Sequence, residues 1–203
     1  MARFPFTRQH DGMQCGVACM SMICRHYDKT FSISRLEKSC HVTKEGVSLK
    51  AIRDLCEEIG LDSAAGKVTV ANLADTPLPC VLHWNQNHFV VLYKTDRNGS
   101  RFWIADPGKG KYKCSIEDME RHWVSTQSQG KEKGIAMFFE PTEKFSKNSC
   151  NPKGESRSSP LGHSDNRIDI RAFYCHVALH RVSIRQRRIH TTSHFHQLVN
   201  DSP

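Results

Sequence analysis

The chain has 203 residues, 38% hydrophobic and 25% charged, the balance of a globular protein with one ordinary domain and an appendage. No apolar run reaches the roughly 18 residues of a membrane span, and the N-terminal MARFPFTRQHDG lacks the apolar stretch of a secretory signal, so the expected compartment is the cytoplasm. The formal charge of +8 is uneven, with 20 basic against 17 acidic residues through Phe145 and 9 against 4 from Ser146 onward.

Helical signals come first along the chain. Cys15 opens a run of small apolar residues, with Ala18 and Met22, that suits a buried helix. SISRLEKSC reads as a short helix capped by Ser32 or Ser34. SLKAIRDLCEEIG is the clearest one: Ser48 can cap it, Leu49, Ile52, Leu55, Cys56 and Ile59 share a face, and Gly60 can end it. The pattern then turns to strands. KVTV and CVLHW are short β-rich runs separated by TPLP. HFVVLYKT and SRFWIAD flank DRNG, a hairpin signal with Gly99 in the turn. DPGKGK reads as a loop, SIEDMERHW as a short helix with Ser115 as cap and acids in its first turn, and GIAMFFE as a last strand. Helices followed by a mainly antiparallel sheet argue an α+β fold.

From Ser146 the composition changes. SKNSCNPKGESRSSPLGHSDN is linker-like, and the remainder alternates weakly, interrupted on both faces by Arg and His. Residues 1–145 are expected to form the domain and residues 146–203 a basic, poorly structured tail. The tail's texture is that of an out-of-frame or vector-derived extension. A basic tail can attract nucleic acid or anionic lipid, but this one carries no recognisable motif, and no nucleic-acid partner is expected.

Nine cysteines stand at positions without CxxC spacing, which indicates neither a zinc ribbon nor a redox dithiol. Most are expected to be reduced and buried. Cys15 is the exception in placement. A cysteine at a helix N-terminus faces free backbone N–H groups and the positive end of the helix dipole, which favour a thiolate. Gly12 and Gly16 beside it would let backbone approach a substrate. Read alone, Cys15 fits a packed helical cysteine at least as well as a nucleophile.

His88 begins an apolar strand after the polar run Asn85-Gln86-Asn87, a rigid support facing an open side. His83, inside CVLHW, reads as a buried ring without a partner, and His10 as a loop residue. Asp106 ends a strand before Pro107. It can accept from His88 Nδ1–H and hold the tautomer, as the third member of a triad does, or simply make an Asp-Pro turn. The DRNG hairpin makes the two strands neighbours, and a separation of 18 residues lets their open ends meet. Gln9 can donate its amide to an oxyanion, although a loop glutamine by itself says little.

Together these residues bring a family into view. QHDGMQCGVACMSMICRHY, HWNQNHFVVLYK and FWIADPGKGK resemble the three signature blocks of the C39 cysteine peptidase domain, and VTKEGVSLKAIRDLCEEIGLDS resembles that family's middle section. The likeness covers about residues 1–140. It implies a papain-like fold, with Cys15 as nucleophile, His88 as general base and acid, Asp106 as orienting carboxylate and Gln9 as oxyanion donor. No metal or other cofactor is implied. The implied substrate is a precursor peptide of a bacteriocin or pheromone, cut after a double-glycine leader. The implied partners are the membrane and nucleotide-binding parts of an ABC exporter, and such an association would place the domain at the cytoplasmic face of the membrane. This chain carries neither a membrane span nor a GxxxxGK[ST] loop, which leaves a stand-alone peptidase, an excised domain and a truncated exporter as open origins. The competing readings are a module that binds leaders without cutting and a basic nucleic-acid-binding protein resting on the tail.

Overall fold

The computed structural model describes residues 3–40, 46–128 and 130–147; the basic tail expected over 146–203 lies, apart from its first two residues, outside them. Three helices come first: α1 (Cys15–His26), α2 (Ile33–Cys40) and α3 (Leu49–Ile59). Strand β1 (Leu61–Val68) and a 3-10 turn (Ala71–Asp75) lead into β2 (Cys80–Trp84), β3 (His88–Thr95), β4 (Phe102–Asp106) and β5 (Gly110–Cys114). Then follow α4 (Ile116–His122), β6 (Val124–Ser128), β7 (Lys131–Pro141) and α5 (Glu143–Lys147).

The strands form one antiparallel sheet in the order β1-β7-β2-β3-β4-β5, with β6 pairing the first half of β7. The eleven-residue β7 joins the two halves of the sheet. Along its whole second part it pairs with β1, and through Ala136 and Met137 it pairs with β2 on its other edge. Alternation assigns Phe89, Val91, Ala105 and Phe139 to the core beneath the helices, where they meet Val17, Met20, Ile23, Leu55 and Ile59. Their neighbours Val90, Leu92, Ile104 and Phe138 point the other way and are buried as well. A sheet covered on both faces reads as continuous apolar runs, and CVLHW and HFVVLYK have that texture.

The expected caps form. Ser48 accepts from Ala51 N–H at the start of α3, and Gly60 closes that helix at φ +88°. A side chain at Gly60 would strike the backbone of Lys144 and Phe145, which dock α5 there. Ser115 and Asp118 make a reciprocal capping box on α4. Ser32 precedes α2 and its hydroxyl accepts from Arg35 N–H at 3.4 Å. Gly99 takes φ +64° in the β3–β4 turn.

Several elements depart from the sequence reading. The strand expected at KVTV ends at Val68, because β1 begins seven residues before that point; LDSAAGKV has weak strand propensity and pairs because β7 offers a full-length edge. The loop expected at DPGKGK is shorter, since Gly110 and Lys111 already belong to β5. Strand β6 and helix α5 had no sequence signal. All seven described cysteines are buried and free.

Candidate active site

Helix α1 is buried from Cys15 through Cys24, so it runs through the core and presents its N-terminus at the domain surface. Its N-cap, Gln14, makes no side-chain cap hydrogen bond. That amide is engaged elsewhere: Nε2 donates to Glu37 Oε1 at 2.5 Å and Oε1 accepts from His10 N–H at 3.2 Å. The leading N–H groups of α1 are therefore not closed by a side chain, and the positive end of the helix is left for Cys15 and whatever approaches it.

His88 is placed by the β2–β3 hairpin. Asn85 and Gln86 adopt φ of 48° and 62°, and His88 pairs across the strands with Trp84. The loop is pinned from outside: Asn85 N–H donates to His122 O at 2.7 Å, and His122 Nδ1–H donates to Asn85 Oδ1 at 2.9 Å. Neither Asn85 nor His122 stands out in the sequence as a support. An asparagine tolerant of left-handed backbone, between two apolar runs, was the only signal.

Asp106 ends β4, one residue beyond the Val91–Ala105 pair, and its side chain is 1% exposed. Its Oδ1 accepts from His88 Nε2–H at 2.9 Å, from Gly108 N–H at 2.8 Å and from Lys109 N–H at 3.3 Å. Tyr112, on β5, donates its hydroxyl to Oδ2 at 3.4 Å. The sequence reading gave Asp106 either a turn or an orienting contact, and it makes both. The expected nitrogen is corrected: Asp106 holds Nε2, not Nδ1, because His88 leads its strand and directs its far ring edge at the end of β4. Nδ1 is then the nitrogen that Asp106 leaves available, and the charge of Cys15 acts on the same ring.

Burial of the His88 ring works against its charged form. The hydrogen bonds and charges of Asp106 and Cys15 outweigh that effect and push the pKa from 6.5 to about 9. Burial opposes ionisation of Asp106 too, but the His88 contact and the Gly108 and Lys109 amides hold its carboxyl below the usual range. The result is an imidazolium at neutral pH between the Asp106 carboxylate and Cys15.

Gln9 arrives by way of the N-terminal segment, which runs antiparallel to α1. Arg25 donates to Phe6 O at 3.0 Å, and the Thr7 and Ser21 hydroxyls pair at 3.1 Å. Gln9 N–H then donates to Pro107 O at 3.1 Å. Its side chain lies beside Gly108, where an added Cβ would come within 3.8 Å of Nε2. Gln9 Oε1 is buried and has no hydrogen-bond partner among the described residues. His83 is half-buried, with its pKa lowered by desolvation, and it has a backbone contact at Gln86 rather than no partner; His10 is exposed. Among the described residues no group of His, Cys, Asp and Glu could hold a metal ion, and no helix is long and apolar enough to cross a membrane.

A family model described as the Peptidase C39 family matches residues 3–129. The chain is 31% identical over 143 residues to a probable microcin-H47 secretion/processing ATP-binding protein of Escherichia coli, a match covering 70% of this chain and 19% of that one. It is 32% identical over 143 residues to a lactococcin-G-processing and transport ATP-binding protein of Lactococcus lactis subsp. lactis, covering 68% and 19%. The chain thus spans about a fifth of these relatives. Among solved structures it resembles a double glycine motif protease from an AMS/PCAT transporter, determined in complex with the leader peptide, with a TM-score of 0.61, 28% identity, and 70% of this chain and 94% of that chain covered. With this sheet and helix arrangement and a family match across most of the described residues, the chain belongs to the Peptidase C39 family of cysteine peptidases.

Proposed function

We propose that this domain cleaves precursor peptides of bacteriocins or pheromones on the carboxyl side of a double-glycine leader, at the cytoplasmic face of a membrane beside an ABC exporter. The observation that carries the reading is the 2.9 Å contact of His88 Nε2 with Asp106 Oδ1, on a ring that also feels the charge of Cys15 at the start of α1. The Cys15 thiolate, its proton held on His88 Nδ1, attacks the carbonyl carbon of the second glycine, forming a C–S bond and an oxyanion. A leading N–H of α1 and the Gln9 amide donate to that oxygen. His88 gives the Nδ1 proton to the departing amine as the C–N bond breaks, which frees the mature peptide and leaves the leader as a thioester. His88 Nδ1 then takes a proton from water, whose oxygen attacks the thioester; the leader leaves with a terminal carboxylate and the Cys15–His88 pair is restored.

Gln9 suits the oxyanion role because its backbone is fixed by the bond to Pro107 O and its amide lies beside Gly108. Asp106 keeps Nε2 protonated throughout, so that proton traffic is confined to Nδ1. The test is incubation with a panel of double-glycine precursors, read by mass spectrometry, with Cys15→Ala as control. Cleavage after the second glycine by the wild type alone is expected. Binding without cleavage by both proteins would instead make the domain a leader-capturing module.

A further inference from the structure

Cations and aromatic rings collect where the N-terminal segment meets Arg25 of α1 and the neighbouring strands β3, β4 and β5. A row across β3, β4 and β5 places Lys94, Trp103 and Lys113 side by side. Both ammonium groups lie over the indole, at 4.8 and 5.7 Å from its ring centroid. Two residues along, Lys111 follows Lys113 on the same face, with its Nζ 5.7 Å from the Tyr93 ring centroid and 5.8 Å from that of Phe4. Phe4 stacks on Tyr93 at 4.6 Å. A cavity of about 450 Å³ opens beside them, lined by Arg3, Phe4, Pro5, Phe6, Arg25 and Lys111.

Five cations therefore share one surface, and none of them makes an ion pair among the described residues. Lys111 donates to Phe4 O and Arg25 to Phe6 O, which fixes both side chains and leaves each with further N–H donors. The charges feel one another: burial first, then Arg3 and Arg25, lower the Lys111 pKa. Like charges gathered around a cavity favour an anion that neutralises several at once.

We infer that this basic–aromatic face binds the phosphate groups of anionic phospholipid headgroups at a membrane surface, with the Arg3–Arg25–Lys111 cavity receiving one of them. Arginine forks and lysine points of charge suit phosphate oxygens. Aromatic side chains among cations suit the headgroup layer, where amphipathic rings settle. Nucleic acid fits less well, because single-strand binding requires open ring faces for bases. Here Phe4 is stacked on Tyr93, and Trp103 lies beneath two ammonium groups. The inference is independent of the leader-cleavage reading, since Arg25 and Cys15 sit at opposite ends of a helix and about 15 Å apart along its axis.

The test is sedimentation of the full chain with vesicles of phosphatidylcholine alone or mixed with phosphatidylglycerol. Binding is expected only to the mixed vesicles. Neutralising one cation at a time, as Arg3→Gln, Lys94→Gln or Lys113→Gln, should lower partitioning about fivefold, and all three together on the order of 100-fold. A control of equal net charge, Lys50→Gln with Arg53→Gln and Lys147→Gln, should lose far less. Equal loss in both triple variants, or wild-type binding by the first, would overturn the inference, because net charge or the basic tail would then be responsible. Tighter binding to a DNA duplex than to mixed vesicles at matched salt would overturn it in favour of nucleic acid. Displacement from vesicles by inorganic phosphate at matched ionic strength would assign the site to a soluble phosphate instead.

Discussion

His88 reaches Asp106 through Nε2, at 2.9 Å. This fixes which ring nitrogen is left for Cys15 and gives the carboxylate a directional role in addition to its charge. In Asp106→Asn the amide can turn its NH2 toward Nε2, which removes the ion pair and admits the other tautomer. The expected result is a kcat lower by about 10- to 100-fold, the worth of a hydrogen bond between charged groups. The His88 titration, followed by NMR, should move from about 9 toward 6.5. Lost activity with an unmoved titration would mean that Asp106 acts in another way.

Stability should carry the same signature. His88 has its folded pKa raised from 6.5 to about 9, so its contribution is complete below about pH 6.5 and fades as pH rises through about 9. Asp106, lowered from 3.8, contributes above that value and loses its share as pH falls through its depressed pKa. With 22% of the His88 side chain exposed, its term is at most on the order of 3 kcal/mol. Thermal melts should show an alkaline fall that is shallower in His88→Gln. The buried cysteines, pushed up by desolvation, add a fall of the same sign that the variant retains.

Gly134 provides a test of packing alone. A Cβ there would lie 2.3 Å from Trp123 Cε2, and that fully buried ring is held by its Nε1–H donating to Ile135 O at 2.8 Å. Gly134→Ala is expected to cost about 3 kcal/mol in urea unfolding. Gly12, with nothing within 4 Å of an added Cβ, should accept alanine within about 0.5 kcal/mol.

What the sequence disclosed follows from where its signals are local. Caps at Ser48, Gly60 and Ser115 are read from a few residues, as is the Gly99 turn. Cys15, His88 and Asp106 stand at element boundaries, so their convergence follows once the helix and hairpin are recognised. Only the last two residues of β1, Lys67 and Val68, were legible as strand, because LDSAAGKV owes its form to a partner about 70 residues away in sequence. The Nε2 contact was beyond reach too, since it depends on the hairpin geometry set by Asn85 and Gln86. Tyr112 was hidden because the loop read at DPGKGK takes in the first two residues of β5, and no strand signal marks the three that follow.

Gln9 should matter in the rate and little in the fold. Gln9→Ala is expected to lower kcat by about 10²–10³, the usual cost of one oxyanion donor, with an unchanged or slightly higher melting temperature, because its Oε1 is buried without a partner. A large drop in stability with intact kcat would make it a structural residue.

On the proposed mechanism Cys15 is the activated thiol of this domain. Alkylation by iodoacetamide at about pH 6, followed by peptide mapping over time, tests it directly. Cys19, Cys24, Cys40, Cys56, Cys80 and Cys114 are all pushed up by burial, so Cys15 should be modified well before any of them in the native protein, and that lead should shrink in His88→Gln. Slow, uniform modification of all seven, unaffected by the loss of His88, would contradict the account.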